Sequence, residues 1–269
     1  MIDINLHTHT YRCKHARGDA AEYCDEALAR GLRTLGFSDH TPLPDGRWPS
    51  VRMALAELDG YCDAVDAAAQ RAAGDGLRVL KGLECEYVPE FVAFYREELL
   101  GARKLDYLIG GAHWYPHRGE WRGLYAGAMT PAQLRDYVDY QIAAMQSGLF
   151  AFIAHPDLFG VAWDEWDPAA AECSRVLLTA AAALDMPLEI NGYGLRKPPK
   201  ETSSGGPRPM YPWRPFWELA AECGVGVVLS SDAHRPEDVA AGLDDTAAMA
   251  RRLGLRVVSD PLARLQAAT

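Results

Sequence analysis

Residues 2–40, IDINLHTHTYRCKHARGDAAEYCDEALARGLRTLGFSDH, read as a strand, a helix and a second strand. Ile2 to Leu6 is a short apolar run of the kind that forms a buried strand, and it is ended by His7-Thr8-His9. Asp19, with Glu22 three positions on, starts a helix that stops before Gly31. Thr34 to Phe37 is the next apolar run, ended by Ser38-Asp39-His40.

The same alternation continues outward. Leu77–Leu83, Tyr107–Ile109, Ala151–Ala154, Leu188–Ile190 and Val225–Leu229 bring the predicted strands to seven, each followed by helical or loop sequence. Thr130-Pro131-Ala132-Gln133 sets an N-cap, a proline at the first helical position and a glutamine at the third, and Gly148 closes that helix. Pro168 to Leu184 and Arg214 to Cys223 are further amphipathic candidates, the latter ended by Gly224. Lys197 to Pro212, rich in proline, glycine and serine, is predicted as a long loop. With no internal repeat, the expectation is one α/β domain over residues 1–269.

The composition, 49% apolar and 24% charged, is that of a soluble chain able to bury a sizeable core. A formal charge of -10 argues against a nucleic-acid partner but not against a small anion, whose pocket can be dominated by local cations. Cys13, Cys24, Cys62, Cys85, Cys173 and Cys223 contain no CxxC pair and read as small core residues. Neither a signal-like start nor an apolar run approaching the ~18 residues of a membrane span is visible, so a cytoplasmic, reduced protein is expected.

Seven of the eight histidines stand at or just beyond predicted strand ends: His7, His9, His15, His40, His113, His155 and His234. His117 is left over, as a surface or substrate-lining residue. In a parallel barrel the C-terminal strand ends converge on one face, so these imidazoles should meet. His7-Thr8-His9 and Asp232-Ala233-His234 have the period of two that turns both outer side chains the same way. Glu84 ends the third strand, and one carboxylate can bridge two cations. Glu86 is a rival to it. A single strand-end histidine is commonly just hydrogen-bonded, but gathering seven without a shared cation would be unfavourable. The cluster is therefore read as a metal site.

The ordered set His7-x-His9-Thr10, Cys13-Lys14-His15, Ser38-Asp39-His40, Gly82-Leu83-Glu84, Gly111-Ala112-His113, Ala154-His155-Pro156-Asp157 and Ser231-Asp232-Ala233-His234 resembles the polymerase-and-histidinol-phosphatase (PHP) family, most closely its stand-alone phosphatases. The resemblance implies a distorted (β/α)7 TIM-like barrel with three divalent metal ions, zinc, manganese or iron. It implies one ion on His7, His9, Glu84 and Asp232, a second on Glu84, His113 and His155, and a third on His15, His40 and His234. Asn191-Gly192-Tyr193-Gly194-Leu195-Arg196 also has a counterpart, with its arginine near the substrate phosphate. The loop Ser203–Arg208 does not align, which leaves the substrate open.

The resulting expectation is a metal-dependent phosphomonoesterase acting on histidinol phosphate, with Glu84, Asp232 and His234 as catalytic residues. Arg196 would bind phosphate, helped by Arg17, Arg235 and Asn191. The leaving oxygen would take its proton from Asp232, Asp157 or a ligand histidine. Activity should fall below about pH 6 to 6.5, where ordinary imidazoles protonate. Three other readings compete. One is a PHP-fold phosphatase or phosphodiesterase for another small ester or nucleotide. Another is a barrel amidohydrolase, disfavoured because Lys81 lies on the wrong side of Glu84 to serve as a carboxylated bridge. The last is a metal-stabilised binding module without catalysis.

Overall fold

Parallel strands need a crossover between them, and the first two are joined by a short helical one. The computed structural model describes residues 2–203 and 206–266, and its contacts group into two units, residues 1–109 with 230–244 and residues 110–229 with 245–269.

In the first unit β1 (Ile4–Asn5), β2 (Thr34–Phe37), β3 (Arg78–Cys85) and β4 (Tyr107–Gly110) form one sheet in that spatial order. The parallel register pairs Asn5 with Leu35 and Phe37 with Lys81. The helices α1 (Ala20–Ala29) and α2 (Leu58–Ala72) follow β1 and precede β3, respectively. The Asp19 carboxylate accepts from the Ala20 amide while Glu22 reaches back to the Asp19 amide, the reciprocal cap expected from the sequence.

The sheet interior is tight. A Cβ on Gly36 would stand 2.2 Å from the Tyr107 hydroxyl, and one on Gly82 would stand 2.6 Å from its ring. Glycine at both places makes room for the tyrosine, whose hydroxyl donates to the carbonyl of Leu6 at 2.8 Å.

The second unit holds an antiparallel hairpin of β5 (Trp114–His117) and β6 (Glu120–Gly123), then α3 (Pro131–Gln146) and α4 (Pro168–Ala183). It continues with β7 (Leu188–Asn191), the short helix α5 (Gly192–Arg196), a second hairpin of β8 (Lys200–Thr202) and β9 (Gly206–Arg208), and α6 (Arg214–Cys223). β10 (Gly226–Ser230), α7 (Leu243–Leu253), β11 (Arg256–Val257) and the short helix α8 (Ala263–Gln266) follow, and the sheet runs β11-β10-β7. The caps at Thr130 and Gly224 are those expected from the sequence.

Two expectations need correction. Ala151–Ala154 does not form a strand of its own: only Ile153 pairs, through single parallel bridges to Gly110 and Leu188. Lys197–Pro212 is not wholly loop, because β8 and β9 pair within it; Ser204 and Gly205, part of the stretch that does not align with the family, lie outside the described residues. Among the described residues no helix is long and apolar enough to cross a membrane. All six cysteines are free thiols, five of them buried.

Candidate metal centre

Two isolated parallel bridges build the site in the first unit. Thr8 pairs with Ala233, and His40 pairs with Glu84. Because side chains alternate along extended chain, pinning Thr8 to Ala233 turns His7 and His9 to the opposite face, where Asp232 and His234 meet them. Thr8 faces away from them, its hydroxyl donating to the Gly36 carbonyl at 2.9 Å. Asp232 adopts a left-handed backbone, φ +49°, a strained conformation that clusters at functional positions.

The side chains converge as the sequence predicts. His7 Nε2 and His9 Nε2 are 3.0 Å apart. From Glu84 Oε2 they stand 3.5 and 3.6 Å away, and from Asp232 Oδ1 3.6 and 3.2 Å. His40 Nδ1 is 2.9 Å from Glu84 Oε2. Ring centroids of His9 and His234 are 4.4 Å apart, and those of His15 and His234 4.8 Å. All but His15 are buried. The donor atoms of His9, His40 and His234 lie within 4.8 Å of one another, as do those of Cys13, His15 and His234.

Burial sets the protonation of this cluster. It lowers His9 below the ordinary imidazole value against a partly compensating hydrogen bond to Asp232, and takes His234 down to about 3, with His9 adding to the effect. Burial also works against the Asp232 anion, but His7, His9 and His234 together hold that carboxyl well below the usual range. Neutral imidazoles around ionised carboxylate are the state in which these groups bind cations. Burial pushes the Cys13 thiol far up, so the sulfur stays protonated beside the cluster in the absence of a cation.

Several neighbours escape a reading based on strand ends. Asp39 alternates with His40 and so points elsewhere: it accepts from the Thr10 hydroxyl at 2.6 Å and the Thr10 amide at 3.0 Å, and burial raises it to about 7. Its Oδ1 is 3.9 Å from His9 Nδ1, so it borders the ligand shell. Glu86 is corrected as a rival to Glu84, because its carboxylate accepts from Arg52 at 2.9 Å. Arg17 and Arg235 are exposed; the Arg17 amide donates to the His234 carbonyl at 2.9 Å.

The second unit brings His113 and His155 together with ring centroids 4.8 Å apart. His155 has φ +29°, and its amide donates to the buried Glu189 carboxylate at 2.9 Å. Asn191, expected beside the substrate, uses its amide in the fold: Nδ2 donates to Glu189 at 2.8 Å and Oδ1 accepts from the Tyr193 amide at 2.8 Å. Asp157, one candidate for protonating the leaving group, instead holds the start of α6, accepting from the Trp213 amide and from Trp217 Nε1. Burial raises it to about 6.

Arg196 is half-buried, its guanidinium 5.2 Å from the Tyr193 ring centroid. Beside it Lys197 Nζ lies 4.6, 5.4 and 5.8 Å from the rings of Tyr193, Tyr125 and Tyr211. Tyr211 in turn is 5.9 Å from the His155 ring. Nothing in the spacing of these tyrosines along the chain announces that they share a cation. His117 pairs with Asp136 at 2.6 Å on β5.

Known proteins resemble this chain over most of its length. A "Probable histidinol-phosphatase" of Deinococcus radiodurans is 35% identical over 262 residues, 94% of each chain. One of Schizosaccharomyces pombe with the same description is 26% identical over 88% of this chain and 82% of that one. The crystal structure of histidinol phosphate phosphatase from Lactococcus lactis, complexed with zinc, L-histidinol and phosphate, superposes with a TM-score of 0.73 at 16% identity, covering 97% of each chain. The fold class is therefore the α/β, distorted TIM-like barrel of those phosphatases. The PHP domain profile matches residues 5–192, a span that begins at β1 and runs through β7, and the chain is a member of the PHP domain family.

Proposed function

We propose that this protein is a metal-dependent phosphomonoesterase that hydrolyses L-histidinol phosphate to L-histidinol and phosphate. The observation that carries the reading is the position of His7 Nε2 and His9 Nε2, 3.0 Å from each other and 3.2 to 3.6 Å from a Glu84 oxygen and an Asp232 oxygen. Donors about 2.1 Å from a shared ion in a tetrahedron stand about 3.4 Å from one another, so the two imidazoles with either carboxylate are spaced for a divalent cation of zinc's size. Imidazole with carboxylate suits zinc, manganese and iron alike, and zinc is the first to test because the Lactococcus relative was solved with it.

His7, His9, Glu84 and Asp232 would hold one ion, and His15, His40 and His234 would hold another. His113 and His155 offer two more donors, which supports a complement of three. Bound cations would supply charge to neutralise the phosphate oxygens and acidify water. The chain's own part is to keep the imidazoles neutral, to keep Asp232 ionised as ligand and proton acceptor, and to exclude bulk solvent from the buried cluster. Arg196 would clamp a phosphate oxygen, with Arg17 and Arg235 as helpers. With Asp157 held by α6, Asp232 or a ligand histidine is left to protonate the leaving oxygen, using the proton given up by the attacking water. The family profile runs from the first unit into the second, which supports reading residues 1–269 as one PHP-type domain.

The test is metal analysis of the purified protein followed by phosphate release from histidinol phosphate and from a panel of other monoesters and nucleotides. Bound metal with preferential turnover of histidinol phosphate supports the proposal. Bound metal with turnover of a different ester moves the chain to the other phosphatase reading, and metal without any turnover leaves the binding module.

A further inference from the structure

The segment that follows β2 carries His40 and then returns over the end of β3 at Arg52. Arg52 and Glu86 are 2% and 1% exposed, so this ion pair is fully inside the first unit. The Arg52 Nη2 donates to Glu86 at 2.9 Å, and Nη1 donates to the Thr41 carbonyl at 2.8 Å. Thr41 in turn donates both its amide and its hydroxyl to the Glu84 carbonyl, each at 2.9 Å. Glu86 lies two residues beyond Glu84, which closes a circuit running Arg52, Thr41, Glu84, Glu86 and back.

A buried ion pair contributes little stability over apolar groups of the same volume, so stability alone does not account for this one. Its geometry does. A planar guanidinium can address a carboxylate and a carbonyl together in a fixed plane, whereas an ammonium reaches them only as a point charge. The two segments joined by the circuit are those that make His40 and Glu84 bridge partners.

We propose that Arg52 is a positioning residue that fixes the spacing of His40 and Glu84 and so sets how tightly the cluster holds a divalent cation. This rests on the metal-centre reading above. Lys81 provides an internal control: it lies on β3, three positions before Glu84, and its ammonium pairs with Asp66 on α2 at 2.7 Å.

The experiment is zinc affinity by chelator competition on the wild-type chain, Arg52→Lys, the double variant Arg52→Met/Glu86→Met, and Lys81→Met, with thermal melting of each. Arg52→Lys and the double variant should bind zinc about 10- to 100-fold more weakly, as expected when support behind a ligand is lost, while Lys81→Met keeps wild-type affinity. The double variant removes both buried charges of the pair together, so it reports even if Arg52→Lys does not fold. Wild-type affinity in either folded Arg52 variant overturns the proposal. So does an equal loss in Lys81→Met, which would mean general loosening of the unit. A wild-type chain that holds no zinc, manganese or iron would instead remove the metal reading itself, and this inference with it.

Discussion

The strand ends of the first unit and the segment after β7 in the second carry their candidate residues in opposite ways. Around His9, buried titratable side chains are placed by backbone bridges, Thr8 to Ala233 and His40 to Glu84. Around Arg196, half-buried cations rest on tyrosine faces at 4.6 to 5.8 Å, contacts that tolerate shifts of side chain and loop. Rigid placement suits ligands that must meet one ion at fixed distances. Looser placement suits groups that meet a substrate as it enters and leaves.

If that contrast is right, the largest effect belongs to the first region. His9→Ala should lower kcat at least about 10³-fold, because losing a ligand of a catalytic cation forfeits several kcal/mol of charge stabilisation. Metal content should fall with it. Wild-type turnover with full metal occupancy would show that His9 is not a ligand.

The next effect belongs to the second region. Arg196→Ala should lower kcat/KM by about 1.5–3 kcal/mol, roughly 10- to 150-fold, mostly through KM, as expected for a charged hydrogen bond to phosphate. An unchanged KM with a collapsed kcat would place Arg196 among the rigid catalytic groups and break the contrast. Unchanged kinetics would take it out of the site.

Acid titration gives a smaller and graded effect. His234 has a folded value of about 3 and His9 is lowered too, both chiefly through burial. The unfolded chain protonates the same groups near their ordinary 6.5. Their neutral burial therefore contributes full stability above that pH, and the contribution is lost as pH falls toward about 3. The metal-free protein should show a melting temperature that declines below pH 6.5. A flat profile between 6.5 and 4 would contradict it. The same lowering moves the acid limb of activity below the 6 to 6.5 expected from ordinary imidazoles, since protons compete with a cation only when they can bind the ligand. Metal release with a midpoint at or above 6.5 would show the ligands to be ordinary.

The two regions also differ in how far the amino-acid sequence alone reveals them. His7-Thr8-His9 is readable because the period of two is a property of extended chain itself, whatever the strand pairs with, whereas Asp232 joins the cluster from a left-handed backbone that the spacing does not announce. The caps at Asp19 and Thr130 are readable for a similar reason, since donor and acceptor lie within four residues. What depends on distant pairing is not. Ala151–Ala154 has strand-like composition, yet only Ile153 finds ladder partners. The β5–β6 hairpin turns through Arg118 at φ +51° and Gly119 at φ +84°, and an arginine at the first of these positions hides a turn usually marked by asparagine or aspartate. In β8–β9, prolines at 198, 199, 207 and 209 argue against strands that the structure nevertheless pairs, Lys200 with Arg208. The tyrosines around Lys197 come from residues 125, 193 and 211, and their sharing of one ammonium is a tertiary fact with no local signature.

The smallest effect sharpens the contrast within a single strand end. Thr8 sits between two ligand histidines but faces the other way, donating its hydroxyl to the Gly36 carbonyl. Thr8→Ala leaves that buried acceptor without its donor and should cost about 1 kcal/mol of stability, within the usual 1–3 kcal/mol range for a lost buried partner. The backbone bridge to Ala233 does not use the Thr8 side chain, so His7 and His9 should keep their direction, and turnover and metal content should match the wild type. Chemical denaturation paired with metal analysis measures both sides. If instead Thr8→Ala lost metal as His9→Ala is expected to, the alternation of faces would not be what places the ligands, and the rigidity ascribed to the first region would have to come from side-chain contacts rather than from the strand.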